Sequence, residues 1–203
     1  MIITQIERIT KTKVKIYIDG EYAFPLFQKD VIKLKLEEGM ELPEKIYEEI
    51  REKIILYRSK QKALSLLKTR DRTELELYRK LKDAGYPEDL IERTIEYINS
   101  YGYLNDERYA SNYIRDRKFR KSKLAIEMEL GRKGINKDIL EPIFEMEYKE
   151  EVSEDPEIIA IKKAIQKKNK DISNLTWEEK RKIVASLYKK GFAIDKINQI
   201  IEI

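Results

Sequence analysis

Over roughly the first forty residues, apolar and polar positions alternate with the period of two that a half-buried strand requires. Val14, Ile16 and Ile18 alternate with Lys13, Lys15 and Tyr17; Asp19-Gly20 interrupts; then Tyr22, Phe24 and Leu26 resume the pattern. Alternation on both sides of Asp-Gly predicts a β-hairpin, because both residues of the tight turn must accept positive φ. The stretch from Ile3 to Thr10 supplies a candidate third strand. Pro25, which has no N–H for a ladder, marks an edge or a strand end. A short helix from Asp30 to Leu36, followed by Gly39, is expected to close this small antiparallel sheet. From Pro43, well suited to a first helical turn, the period becomes helical. Ile46, Ile50, Ile54, Tyr57, Gln61 and Leu64 step by three or four and predict one apolar stripe. The stripe fits either one long helix or two that break near Ser59.

Beyond this segment the chain repeats itself. Leu77, Leu81, Gly85, Tyr86 share their spacing with Ile126, Leu130, Gly134, Ile135 and with Ile183, Leu187, Gly191, Phe192. An aspartate follows each glycine by four residues (Asp89, Asp138, Asp195), and apolar residues follow by six and ten. The paired apolar residues lie on one helix face, and the glycine stands where a left-handed cap ends that helix. A second amphipathic helix starts almost at once. Thr73-x-x-Glu76 and Thr176-x-x-Glu179 are capping boxes for the glycine-terminated helix of copies one and three. Ala63 and Leu67, Ala110 and Ile114, and Ala160 and Ala164 mark a helix ahead of each. Asn105-Asp106 and Asp155-Pro156 are expected to cap the opening helices of copies two and three, and Glu150 to Asp155 is the candidate hinge.

The expected fold is therefore mainly α: three tandem three-helix repeats in an elongated, curved array, with a small N-terminal β-sheet. The boundaries expected are 1–42 for the sheet, 43–60 for a connecting helix, and 61–104, 105–150 and 151–203 for the repeats. A unit of about 45 residues is near the lower limit for independent stability, so neighbouring copies should pack together.

Composition narrows the chemistry. The 203 residues include no cysteine and no histidine, which removes thiolate sites, the commonest zinc ligand and the usual general base near neutral pH. The lack of cysteine fits a reducing compartment. Apolar runs stop well short of a membrane span, and a cytoplasmic, non-enzymatic protein without cofactor or metal is expected. Carboxylates sit opposite lysines on helix faces, and the repeated aspartates read as first-turn macrodipole contacts. Seven of the thirteen tyrosines fall between Tyr78 and Tyr113; core and junction packing is preferred for them over a base-stacking platform. Trp177 is placed against the next turn.

The formal net charge of +4 does not by itself imply a polyanion partner. Local runs say more. Arg70 and Arg72 stand at the junction between the first and second helices of copy one. Arg117-x-x-Arg120 lies in that of copy two, within a run of Arg115, Arg117, Lys118, Arg120, Lys121 and Lys123 opposed only by Asp116. Lys167-Lys168 lies in that of copy three, within a run of Lys162, Lys163, Lys167, Lys168 and Lys170 that has no acid. Stacking would align these corners into a basic edge suited to a polyanion or an acidic protein groove.

Ala63 to Arg72, with Leu66-Leu67 and Arg70-x-Arg72-Thr73-x-x-Glu76-Leu77, resembles the opening signature of RecX, the bacterial regulator of the RecA recombinase. Gly102-Tyr103-Leu104-Asn105-Asp106-Glu107-Arg108-Tyr109-Ala110 is similar to the family's second signature, and Glu129-Leu130-Gly131-Arg132-Lys133-Gly134-Ile135 to its third. The likeness spans about 60–203, and the hairpin region resembles an N-terminal extension found in some members. Ser122 stands where the family often has glycine, and the third copy matches most loosely. The resemblance implies a monomer that binds the helical groove of RecA on single-stranded DNA and modulates, usually inhibits, strand exchange and ATP hydrolysis, with no catalysis of its own. The basic edge would face DNA or acidic RecA surface. The competing readings are a nucleic-acid-binding module acting without RecA, a scaffold similar to ubiquitin-associated domains, and an acid–base enzyme using only carboxylates.

Overall fold

Strands β1 (Ile3–Arg8), β2 (Lys13–Ile18) and β3 (Glu21–Phe27) form an antiparallel meander in that order. The computed structural model describes residues 1–149, 154–167 and 175–201. The predicted hairpin is present: Ile18 pairs with Glu21 across Asp19 (φ 50°) and Gly20 (φ 88°), both left-handed. Pro25 lies in the edge strand opposite Lys15. One expectation fails. Ile16 faces Phe24 but Tyr17 faces Tyr22, so Ala23 is an extra residue. This bulge rotates the strand: Phe24 and Leu26 stay in the core while Tyr22 leaves it. Helix α1 (Gln28–Leu34) starts two residues ahead of the expected position and ends at left-handed Lys35.

The segment from Glu44 to Thr69 is one continuous helical run, with no break at Ser59. It comprises α2 (Glu44–Ile50), a π-helical stretch (Arg51–Leu56) and α3 (Tyr57–Thr69). The expected stripe holds only in part: Ile54 and Leu64 pack against cores, but Ile46 is exposed. Ile50 is buried, but Tyr57 and Gln61 face solvent, and the buried positions become Ile55, Leu56, Ser59 and Ala63. The five-residue step from Ile50 to Ile55 is the π turn itself, which inserts one residue and shifts the phase. The helix thereby serves two cores. Ile50, Ile55 and Leu56 join Ile3, Ile16 and Phe24 under the sheet. Ala63 joins Leu77, Leu81, Ile91 and Ile98 of α4 (Glu74–Asp83) and α5 (Glu88–Ser100). Buried Ser59 lies 2.9 Å from the hydroxyl of Thr94, which donates to the Leu90 carbonyl at 2.7 Å.

The chain divides into two compact units, Met1–Asn105 and Asp106–Ile203. The second contains α6 (Asp106–Arg117), α7 (Lys123–Arg132), α8 (Lys137–Lys149), α9 (Pro156–Gln166), α10 (Trp177–Lys189) and α11 (Ile194–Asn198). Ala110, Ile114, Ile126, Leu130, Leu140 and Phe144 form one core, and Ala160, Ile161, Ile183, Leu187, Phe192 and Ile197 another. Both capping boxes are made, and Asp155 caps α9 with Pro156 in its first turn. Residues 150–153 of the expected hinge lie outside the described residues.

Gly85, Gly134 and Gly191 all have positive φ, as expected of left-handed caps. Two of these corners also dock against a preceding element. The Tyr22 hydroxyl, rotated out by the bulge, donates to the Gly85 carbonyl at 2.5 Å, and a Cβ on Gly85 would lie 2.6 Å from it. A Cβ on Gly191 would lie 2.9 Å from Ser122 Oγ.

Candidate functional site

The junction between α6 and α7 gathers the densest run of cations, and the fold sorts them. Tight turns back to Ile114 and Arg117 carry the chain from α6 to Ser122, which caps α7 by accepting the Ala125 N–H at 3.1 Å. Lys118 is only 3% exposed and donates to the Glu147 carbonyl at 2.5 Å; its ammonium is 3.9 Å from the Glu147 carboxylate. That carboxylate, 0% exposed, also accepts Ser111 Oγ at 2.5 Å and Arg115 Nη2 at 2.8 Å. Burial alone would raise the Glu147 pKa, but the Ser111 and Arg115 hydrogen bonds outweigh it and hold the group below its ordinary value. Lys121 pairs with Glu129, which also accepts the Tyr113 hydroxyl at 2.8 Å.

These partners correct the expected edge. Lys118 is a clamp between α6 and α8 with no surface to offer a partner, and Arg115 and Lys121 are engaged within the same repeat. Arg117 lies over the Tyr113 ring at 3.7 Å. Arg120 and Lys123 are exposed and, among the described residues, carry no ion pair.

The other two junctions are less uniform than their sequences. In the first unit Arg70 is exposed at the end of α3, whereas Arg72 turns back to donate from Nε to the Leu66 carbonyl at 3.4 Å. In the third copy Lys162 pairs with Glu154, Lys163 lies 5.6 Å from the Phe119 ring, and Lys167 is exposed. Lys168 and Lys170 lie outside the described residues.

The second and third repeats meet through a polar seam. Ser122 Oγ donates to the Lys190 carbonyl at 2.7 Å, fixing the Gly191 corner against the start of α7. The Lys123 backbone N–H donates to Glu157 at 2.7 Å, and Lys196 bridges Glu157 (2.7 Å) and Asp155 (2.8 Å). Burial alone would lower the Lys196 pKa, but the two carboxylates raise it; Asp155 is correspondingly held low against its own burial.

Beside the seam opens a groove of about 1060 Å³, walled by α7, α8 and the corner that follows α10. Leu124, Met128 and Tyr188 line it and are 51%, 53% and 65% exposed. Sequence reasoning missed this feature, although Leu124 and Met128 form a second apolar pair, four apart, beside the buried Ile126 and Leu130. Apolar residues on two sides of one short helix signal a second contact face.

Tyr101 and Tyr103 depart from the expected core and junction packing. Their rings stack with centroids 6.0 Å apart and are 61% and 52% exposed, while Tyr97, its ring tilted against Tyr101 at 4.9 Å, packs against the core of the first repeat as expected. Trp177 is exposed and covered on one side by Arg181, one turn on. The repeated aspartates lie in first helical turns as expected, Asp89 paired with Arg51. No helix among the described residues is long and apolar enough to cross a membrane.

Comparison with known proteins agrees along the chain. Residues 1–43 match the description "Regulatory protein RecX N-terminal domain". Residues 60–97, 105–141 and 156–201 match the first, second and third three-helix domains of RecX. The "Regulatory protein RecX" of Caldanaerobacter subterraneus subsp. tengcongensis is 31% identical over 205 residues, covering 100% of both chains. That of Clostridium acetobutylicum is 30% identical, covering 98% of this chain and 94% of its own. A crystal structure of regulatory protein RecX shares the fold with a TM-score of 0.62 at 24% identity, covering 99% of this chain and 98% of its own. That of RecX from Lactobacillus salivarius gives 0.56 at 25% identity, covering 71% and 93%.

Proposed function

The chain belongs to the RecX family of regulatory proteins, and on that premise we propose that it binds RecA filaments on single-stranded DNA and restrains recombinase and ATPase activity without chemistry of its own. The observation that carries this reading is the match of all four segments, in order, to a family named for regulation. The cations left exposed after internal pairing support it: Arg70, Arg120, Lys123 and Lys167, with Arg117 stacked on the Tyr113 ring. They are spread over all three repeats, as contact with an extended polyanionic or acidic surface needs. The protein acts in the cytoplasm as a monomer on this reading.

The test is ATP hydrolysis by RecA on single-stranded DNA, with the purified chain titrated from substoichiometric to equimolar amounts. A dose-dependent fall is expected; an unchanged rate across that range would remove the proposal. The exposed tyrosine stack favours a second reading, direct binding of single-stranded nucleic acid without RecA, since every base has a face to stack. That reading requires tight binding of a bare oligonucleotide, weakened steeply by salt.

A further inference from the structure

We infer that the groove between the second and third repeats receives an acidic, amphipathic helical segment of a protein partner. The inference rests on the RecA reading above, the segment being one that the filament presents. Six cations and four carboxylates line the groove. Lys121 pairs with Glu129, Lys137 with Glu127, and Glu157 with Lys196 from behind the wall. Among the described residues this leaves Arg120, Lys123, Lys189 and Lys190 without an ion pair, against Glu141 alone. Four unneutralised cations against one carboxylate set an attractive field for an acidic occupant.

The floor selects the kind of occupant. Leu124 and Met128 stand one turn apart on α7, with Tyr188 of α10 on the same groove, and all three are more than half exposed. A phosphate backbone has nothing to place against two aliphatic side chains. A helix with apolar residues at i and i+3 or i+4, flanked by Asp and Glu, satisfies floor and rim together. The volume of about 1060 Å³ sits at the top of the range for small-molecule pockets and suits an inserted element of secondary structure. The groove is also preformed. Its two walls are tied by the Ser122 bond to Lys190 and the Glu157 bond to the Lys123 amide, so little ordering is needed on binding.

The test uses the full chain with a photo-crosslinking phenylalanine analogue at position 188, irradiated on RecA filaments assembled on single-stranded DNA. A crosslink to a segment of the filament protein rich in Asp and Glu is expected. Two double variants at exposed positions accompany it, Leu124→Glu with Met128→Glu and Arg120→Glu with Lys189→Glu. Each is checked for native circular dichroism, and each should weaken filament binding by about tenfold or more. Crosslinking to the DNA, or to a protein surface without acidic residues, overturns the inference. So does wild-type binding and ATPase restraint in both variants, which removes the groove and leaves the RecA reading intact. A wild-type chain that neither binds nor slows the filament removes the RecA reading, and this inference with it.

Discussion

Removing the Glu147 carboxylate tests whether the basic run after α6 is partly structural. In Glu147→Ala, Lys118 would stay 3% exposed without the Glu147 carboxylate beside it, and Arg115, whose side chain is 52% exposed, would lose the same partner. At 3.9 Å and an effective dielectric constant of about 20, the lost attraction is about 4 kcal/mol. Breaking a buried ion pair from one side typically costs about 3–5 kcal/mol. Lys118 keeps its bond to the carbonyl of residue 147, so the lower end, about 3 kcal/mol, is expected. Urea unfolding followed by Trp177 fluorescence reads the second unit alone, because this is the only tryptophan in the chain. With a slope of about 2 kcal/mol/M, the midpoint should fall by about 1.5 M. The double replacement Lys118→Met with Glu147→Leu should recover most of the loss, since neither charge then remains buried. The loss should also depend on pH. The native pKa of Glu147 lies below its unfolded value. Its contribution is therefore complete above the ordinary carboxylate range and disappears as pH falls through the depressed native value. An alanine variant within about 0.3 M of wild type at pH 7, or a double variant as weak as the single, would refute the clamp.

Other outcomes follow from the corners. Gly191→Ala places a Cβ 2.9 Å from Ser122 Oγ at φ +83° and should destabilise the second unit by about 1–3 kcal/mol. Gly131→Ala, in a helix with nothing within 4 Å, should instead stabilise it by about 0.5–1 kcal/mol. Thermal melts of the pair must move in opposite directions. Tyr22→Phe removes the bond to the Gly85 carbonyl and should cost about 0.5–1.5 kcal/mol in the first unit, read by denaturant titration with far-ultraviolet circular dichroism. Desolvation, with smaller contributions from Tyr17 and Tyr86, pushes the Tyr22 hydroxyl up to about 12. Its contribution is thus intact below the ordinary tyrosine value of about 10 and is lost as pH rises toward 12. A spectrophotometric titration should show one fewer late-ionising tyrosine in Tyr22→Phe than in wild type, Tyr148, which burial also pushes up, remaining in both.

What could be read along the chain was whatever a few neighbouring residues decide. Asp19-Gly20, the glycine corners, the Thr-x-x-Glu boxes and Asp155-Pro156 specify backbone conformation through their own sterics and hydrogen bonds, and each stands where it was expected. The three-helix repeats followed, because spacing within each copy places the core. Features set by distant partners were not legible. A straight helical period could not reveal the π turn, which exists so that one helix can meet both the sheet core at Ile55 and the repeat core at Ala63. The bulge at Ala23 is understood only once Tyr22 reaches Gly85, 63 residues away. Charge composition could not separate Lys118 from Arg120, two residues apart, because burial of one and exposure of the other depend on where Glu147 of α8 arrives. The groove was legible only in part: Leu124 and Met128 mark a second apolar face on α7, but the facing wall with Tyr188, Lys189 and Lys190 comes from a distant stretch of chain. Local sterics wrote the elements; long-range packing decided which side chains remained available to a partner.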